Sequence, residues 1–369
     1  MSLINTHRWM KTNPYLTPCN YKLEEHEYFQ KYNAQITSPY LFVKRGANFT
    51  SLDHSIDFFS YVDSYCIELL QKSQAKFIVD ATDEGSNCLE PSFVYLLEQS
   101  ATKNSIPHDN IFYLSFDIYE SNLESKINNL YYNGLIAMVL RFERQLNQNR
   151  SKSRNYIFSC LNRKPRYWRL KLQQELLTSE VADDIICSYP EIDDIKNVYT
   201  KPHIIENDSM INFFTTRGKK FYGNDTNPGR LLEEIYSDVM FDVAMTTFQE
   251  GSENVVDEKV FKPMLSMIPV IIWGVPGINT MSLPHLGFKT YEDWFDLSFD
   301  QEPNTRKRLE LLKKEILNLS SKLKDMSPDK KLEWINKNQN VLEHNRNLIK
   351  DFTPNNISFS KFIKLVNTI

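Results

Sequence analysis

The stretch Val256–Pro276 holds the residues best suited to chemistry on a charged substrate. Asp257-Glu258-Lys259 heads an apolar pattern of helical spacing formed by Val260, Phe261, Met264, Leu265 and Met267. Pro263 falls inside that pattern, so the helix is short or starts late. Pro269–Trp273 then reads as a buried strand, closed by Gly274. A carboxylate beside an ammonium at the head of such an element can divide the work on a nucleotide sugar. The carboxylate would accept hydrogen bonds from ribose hydroxyls while Lys259 neutralises the diphosphate leaving group. The alternative is an acidic helix cap beside a surface lysine.

A second cluster, Ser159–Arg169, follows the apolar run Tyr156–Leu161. Pro165 suits a first helical turn and Asn162 a helix cap. Arg163, Lys164, Arg166 and Arg169 crowd this helix start, where the backbone dipole already carries positive charge. Such crowding is unfavourable unless an anion binds, and a diphosphate fits. Arg163 lies closest to the strand end. The competing reading is a solvated basic turn paired with Asp183-Asp184 or Asp193-Asp194.

The third cluster is Asp80–Gly85, where Asp80, Asp83 and Glu84 gather at a strand end. Sugar transfer needs a base for the acceptor hydroxyl proton, and a carboxylate raised towards neutrality by burial or a like charge serves. Gly85 leaves room near Glu84, but sequence does not separate it from Asp83. Metal binding and an ordinary acidic loop are the other readings.

These clusters need strand ends to hold them. Ala75–Asp80 and Ile111–Phe116 read as strands, with helical patterns over Pro91–Gln99 and Glu120–Tyr132. Gln145–Asn155 is polar and basic, and reads as a linker between domains. Beyond it, Tyr156–Leu161, Ile185–Ser188, Asp242–Thr247 and Pro269–Trp273 read as strands, and Arg166–Leu177 as a helix. Leu309, Leu312, Ile316, Leu319 and Leu323 form one apolar helical stripe, and Ser327-Pro328 opens a further helix through roughly Lys350. Alternating strands and helices predict an α/β layer structure with parallel sheets, in which ligands sit beyond the carboxyl ends of the strands. The expected domains are residues 1–150, 151–325 and a helical segment 326–369.

Composition narrows the classes. A chain of 369 residues exceeds one ordinary core, and 41% hydrophobic residues exclude disorder. A net charge of −4 gives no global pull towards nucleic acid or anionic membrane, so nucleic acid is not indicated as a partner. The five cysteines lack a C-x-x-C spacing, which argues against a disulfide framework and a structural zinc site. The histidines show no H-E-x-x-H, and no metal site is expected. No Gly-rich phosphate loop and no G-x-S-x-G occur, which disfavours P-loop, dinucleotide-binding and hydrolase chemistry. The first residues lack an apolar signal core, and the most apolar segment, Met267–Pro276, is too short for a span. A cytoplasmic, soluble protein is expected.

Taken together, Leu161-Asn162-Arg163-Lys164-Pro165-Arg166 and Asp257-Glu258-Lys259 followed by Ile268–Gly274 resemble the carboxyl-terminal half of α1,3-fucosyltransferase-like glycosyltransferases. The virus- and bacterium-encoded relatives are the nearer likeness, which runs over about Tyr156–Leu319. The resemblance implies a GT-B architecture, two Rossmann-like domains facing a central cleft, with the donor in the second. It implies metal-independent, inverting transfer of fucose from GDP-fucose to a hydroxyl acceptor such as a glycan, with no cofactor. Asn162, Arg163, Arg166, Glu258 and Lys259 would hold the donor, and Glu84, with Asp83 and Asp80 as alternatives, would be the base. Asp257 stands where the family carries Thr, and Met245-Thr246-Thr247 stands where relatives carry Glu-Thr. The same fold with another donor sugar, a modified DNA base as acceptor, or a non-catalytic nucleotide- or glycan-binding module are the alternatives, beside an unrelated α/β nucleotide-binding protein.

Overall fold

The computed structural model describes residues 10–11, 16–19, 36–45, 55–81, 92–115, 124–131, 154–162, 166–188, 210, 212–214, 216, 233–246, 249–250, 255–350 and 359–368. The chain divides into two compact units. Unit 1 comprises Met1–Ala137, Ser252–Val255 and Thr353–Ile369; unit 2 comprises Met138–Gly251 and Val256–Phe352.

Unit 1 contains β1 (Leu16–Pro18), β2 (Tyr40–Arg45), β3 (Lys76–Ala81), β4 (Ile111–Ser115) and β5 (Asn128–Tyr131). They form one sheet in that order, antiparallel between β1 and β2 and parallel thereafter. Every residue of β3 and β4 is buried, as expected of central strands covered on both faces. Helices α1 (Ser64–Gln71) and α2 (Ser92–Lys103) pack there. The core is aromatic: Phe93 lies 4.9 Å from Phe58 and 5.7 Å from Tyr113, and Phe59 lies 5.0 Å from Phe77. Arg45 is buried beneath them, its guanidinium over the Phe93 ring and hydrogen-bonded to the Tyr113 hydroxyl.

Within the helical pattern expected over Glu120–Tyr132, of which residues 124–131 are described, Asn128–Tyr131 pairs instead with β4 as β5. The three- and four-residue apolar spacing there is too short to outweigh a ladder already offered by the sheet.

Unit 2 contains β6 (Tyr156–Leu161), β7 (Ile185–Ser188), β8 (Val239–Met245) and β9 (Val270–Trp273). Its sheet order is β7-β6-β8-β9, parallel throughout. The chain steps from β6 to one side, then places β8 on the other side of β6. The carboxyl ends of β6 and β8 thus flank a topological switch point, where open α/β sheets bind ligands. Helix α3 (Tyr167–Leu177) follows β6, and α4 (Glu258–Leu265) connects β8 to β9. In such parallel connections the helix begins at the carboxyl edge of the sheet, which brings the starts of α3 and α4 to the edge that holds the switch point.

Helix α5 (Thr305–Leu323) buries Leu309, Leu312, Ile316, Leu319 and Leu323, the stripe expected from their spacing. Asn304 caps it, accepting from the Lys307 amide. The helix opened by Ser327-Pro328 splits into α6 (Pro328–Asn336) and α7 (Gln339–Lys350), where a polar Asn-Lys-Asn-Gln-Asn run interrupts the apolar pattern. Phe241 of β8 anchors this layer, with Phe158 at 5.7 Å, Phe295 at 5.1 Å and Trp334 of α6 at 5.6 Å. The last helix, α8 (Phe359–Asn367), belongs to unit 1, and Asn367 Oδ1 accepts the Thr37 amide at 2.8 Å. Among the described residues no helix is long and apolar enough to cross a membrane.

Candidate functional site

At the switch point the turn after β8 is fixed by buried cations. Thr246 O accepts from Arg169 Nε at 3.0 Å and Nη2 at 2.6 Å, and from Gln249 Nε2. Arg308 of α5 donates from Nη2 to Gln249 O and from Nη1 to Glu302 O, while its guanidinium stacks on Trp273. Trp168 Nε1 donates to Glu250 Oε1 at 2.7 Å. The first turn of α3 is therefore tied to the turn after β8, across the mouth of the switch point.

Gly274, just past β9, completes this packing. A Cβ there would lie 2.8 Å from Thr246 Oγ1 and 2.9 Å from Ile278 Cδ1, so a larger residue would force one of those side chains to move. Beyond it, Asp300 takes the amides of Asn279 and Thr280, the Thr280 hydroxyl and the Asn279 side-chain amide. The turn after β9 is thus also held by a buried side chain.

Arg169 is thus a correction to the basic cluster. It is 2% exposed and spends its guanidinium on a backbone carbonyl, so it does not stand in solution waiting for an anion. Asn162 is a second correction. The N-cap of α3 is Arg166, extended and half-buried, with no side-chain capping bond. Asn162 lies at the end of β6, 2% exposed, and bonds towards Gln173 and Ser188 instead. Arg163 falls outside the described residues.

The Asp257-Glu258-Lys259 triplet opens α4. Asp257, fully buried, is the N-cap and accepts the Lys259 amide at 3.2 Å. Lys259 Nζ reaches back to Asp257 Oδ2 at 3.0 Å and Glu258 Oε1 at 2.8 Å. Sequence offered an acidic cap and a phosphate-binding lysine as alternatives, and the local geometry contains the cap. Glu258 is nine-tenths buried, yet its Oε2 has no hydrogen-bond partner among the described residues. An unsatisfied buried acceptor costs about 1–3 kcal/mol, more for a charged group, so Glu258 Oε2 has an unmet demand for a hydrogen-bond donor.

Pro263 sits within α4 at its sixth residue, and Ile268 N closes the helix onto Pro263 O at 2.8 Å. The helix is short, and the proline lies inside it rather than at its end. On it Lys262, 8% exposed, contributes favourable charge to Asp242.

Asp242 is the residue that the sequence reading passed over. It lies at the middle of β8, fully buried, and accepts a hydrogen bond from Ser159 Oγ on β6. Burial raises its pKa to about 7, against the pull of the Ser159 hydroxyl and the Lys262 charge. One carboxylate in the apolar run Val-Met-Phe-Asp-Val-Ala-Met was the available signal. Beside it, Cys160 and Cys187 are register partners on β6 and β7, and their mutual hydrogen bond and burial push the Cys160 thiol well up. Cys160 is an inert core thiol.

Of the proposed base carboxylates, Asp80 is 4% exposed within β3, opposite Lys44 of β2 and Leu114 of β4. Asp83 and Glu84 lie outside the described residues. Asp80 belongs to unit 1, whereas Asn162, Arg166, Glu258 and Lys259 belong to unit 2. Among the described residues no group of three or more His, Cys, Asp and Glu side chains could hold a metal ion. No family model, curated protein or solved structure matches the chain.

Proposed function

We propose that this protein is an inverting, metal-independent glycosyltransferase of GT-B architecture, moving fucose from GDP-fucose to a hydroxyl acceptor on a glycan. The observation that carries the reading is Glu258 at the start of α4, with a buried, unpartnered carboxylate oxygen beside Lys259. That pair lies on the carboxyl edge of a parallel sheet with a switch point, where nucleotide ligands sit in such folds.

In the proposed reaction Glu258 accepts a ribose hydroxyl. Lys259 exchanges part of its carboxylate pairing for the diphosphate, which leaves with the electron pair of the broken anomeric C–O bond. The acceptor oxygen forms the new bond from the opposite face and gives its proton to a carboxylate of the 80–84 cluster, Glu84 first. Arg163 and Arg166 assist at the phosphates.

A thermal-shift panel of GDP, UDP and dTDP compounds tests this. A ligand at a hundredfold excess over its Kd should stabilise by about 2.7 kcal/mol. Silence across the panel would sink the glycosyltransferase reading. Glu84→Ala, assayed for sugar transfer, is expected to keep donor binding and lose turnover; the opposite pattern would reverse the roles of the two clusters.

A second reading, a non-catalytic binding module, is favoured by two observations. Lys259 is already engaged by two carboxylates, and Met245-Thr246-Thr247 stands where the enzymes this chain resembles carry Glu-Thr. It predicts binding in the same panel with no transfer.

A further inference from the structure

The end of β6 contains a polar chain whose direction can be worked out. Gln173 of α3 donates from Nε2 to two backbone carbonyls, Cys160 O at 2.9 Å and Ser188 O at 2.7 Å. Both hydrogens of that amide are spent, so its other end, Oε1, can only accept. Oε1 faces Asn162 Nδ2 at 3.3 Å, and Asn162 must therefore present its NH2 to Gln173. The orientation of Asn162 follows from the network rather than from convention. Ser188 Oγ accepts the Asn162 amide at 3.0 Å and fixes the backbone of the same residue.

This leaves Asn162 Oδ1 as an acceptor with no partner among the described residues, in a side chain 2% exposed. It stands one residue past β6, beside the switch point. Arg166 at the N-cap of α3 and Arg169 on its first turn are the described cations nearest in sequence, and Arg169 is committed to Thr246 O. A diphosphate at neutral pH offers only acceptors, and would meet an acceptor here. An N–H or O–H would satisfy it.

We infer that Asn162 Oδ1 receives a hydrogen bond from the uncharged part of the ligand, a sugar or ribose hydroxyl or the amino edge of a base. This rests on the proposed function, and it gives Asn162 the neutral portion of the donor, leaving the diphosphate to the neighbouring cations. Asn162 becomes a specificity residue for the donor's neutral portion.

Calorimetric titration of the full chain with GDP-fucose, GDP and pyrophosphate separates the possibilities. Asn162→Ala is expected to weaken GDP-fucose or GDP about tenfold and to leave pyrophosphate unchanged, the loss of one hydrogen bond to a buried acceptor. Equal weakening of pyrophosphate would make this an anion site and overturn the inference. No change with any probe would mean that Oδ1 holds only water, and would overturn it too. If the unmodified chain binds none of the three, the proposed function falls first and this inference with it. The folded state of Asn162→Ala is checked by its thermal midpoint without ligand. Should it not fold, Asn162→Ser gives the same readout, since its small hydroxyl leaves room for a water to satisfy Gln173 Oε1 but ends short of the ligand.

Discussion

Glu258→Gln is expected to keep the fold within about 1 kcal/mol of normal stability while weakening nucleotide-sugar binding by 10- to 100-fold. The two halves of that outcome have different causes. Glu258 and Asp257 share the Lys259 ammonium, and both carboxylates are buried. Neutralising one relieves like-charge repulsion, and the amide oxygen still accepts from Lys259, so little stability is lost. Binding is another matter. A hydrogen bond from a ligand hydroxyl to a carboxylate contributes about 1.5–3 kcal/mol, roughly a 10- to 100-fold change in Kd. Denaturant midpoints and calorimetry on the same preparation measure both. If Glu258 serves only the helix start, binding will stay intact, and that result would end its role as a ligand contact.

The second large effect is a pH dependence that Asp242 imposes on unit 2. Its carboxyl titrates at about 7 in the folded protein, against an ordinary 3.8. Folding therefore raises its proton affinity. Between those values the folded state holds a proton that the unfolded chain has released, so the contribution of Asp242 to stability is most favourable below about pH 4 and falls as pH rises to about 7. A shift of about three units corresponds to about 4 kcal/mol across that window. Asp242→Asn mimics the protonated form and keeps an acceptor for Ser159 Oγ. The variant is expected to match the parent near pH 4 and to exceed it by up to about 4 kcal/mol at pH 8, in denaturant unfolding. A constant difference between the two at every pH would mean that Asp242 does not titrate on folding.

The sequence made some of this visible for physical reasons. Apolar runs such as Tyr156–Leu161 and Ile185–Ser188 become strands because a buried parallel strand is apolar on both faces, and the structure places β6 and β7 over those same residues. The stripe from Leu309 to Leu323 declares a helix because its period is local. What stayed hidden depends on partners far along the chain. Arg169 looks like a free cation until Thr246, 77 residues later, supplies a carbonyl. Asn162 looks like a cap until Gln173 and Ser188 claim it. The strand over Asp242 was expected to begin at that residue, a natural place for a carboxylate. In the fold β8 begins at Val239, which puts the same carboxylate at the middle of the sheet.

The return of α8 to unit 1 bears on how the protein is made. Neither unit is a single continuous segment, because residues 353–369 complete the one that began at the amino terminus. During synthesis unit 1 emerges first, yet it waits for its closing helix until unit 2 has been translated. Its early form lacks the side chain that receives the Thr37 amide, and exposes whatever surface α8 later covers. Closing unit 1 is thus a long-range event, in which α8 must find Thr37 across the whole segment that builds unit 2.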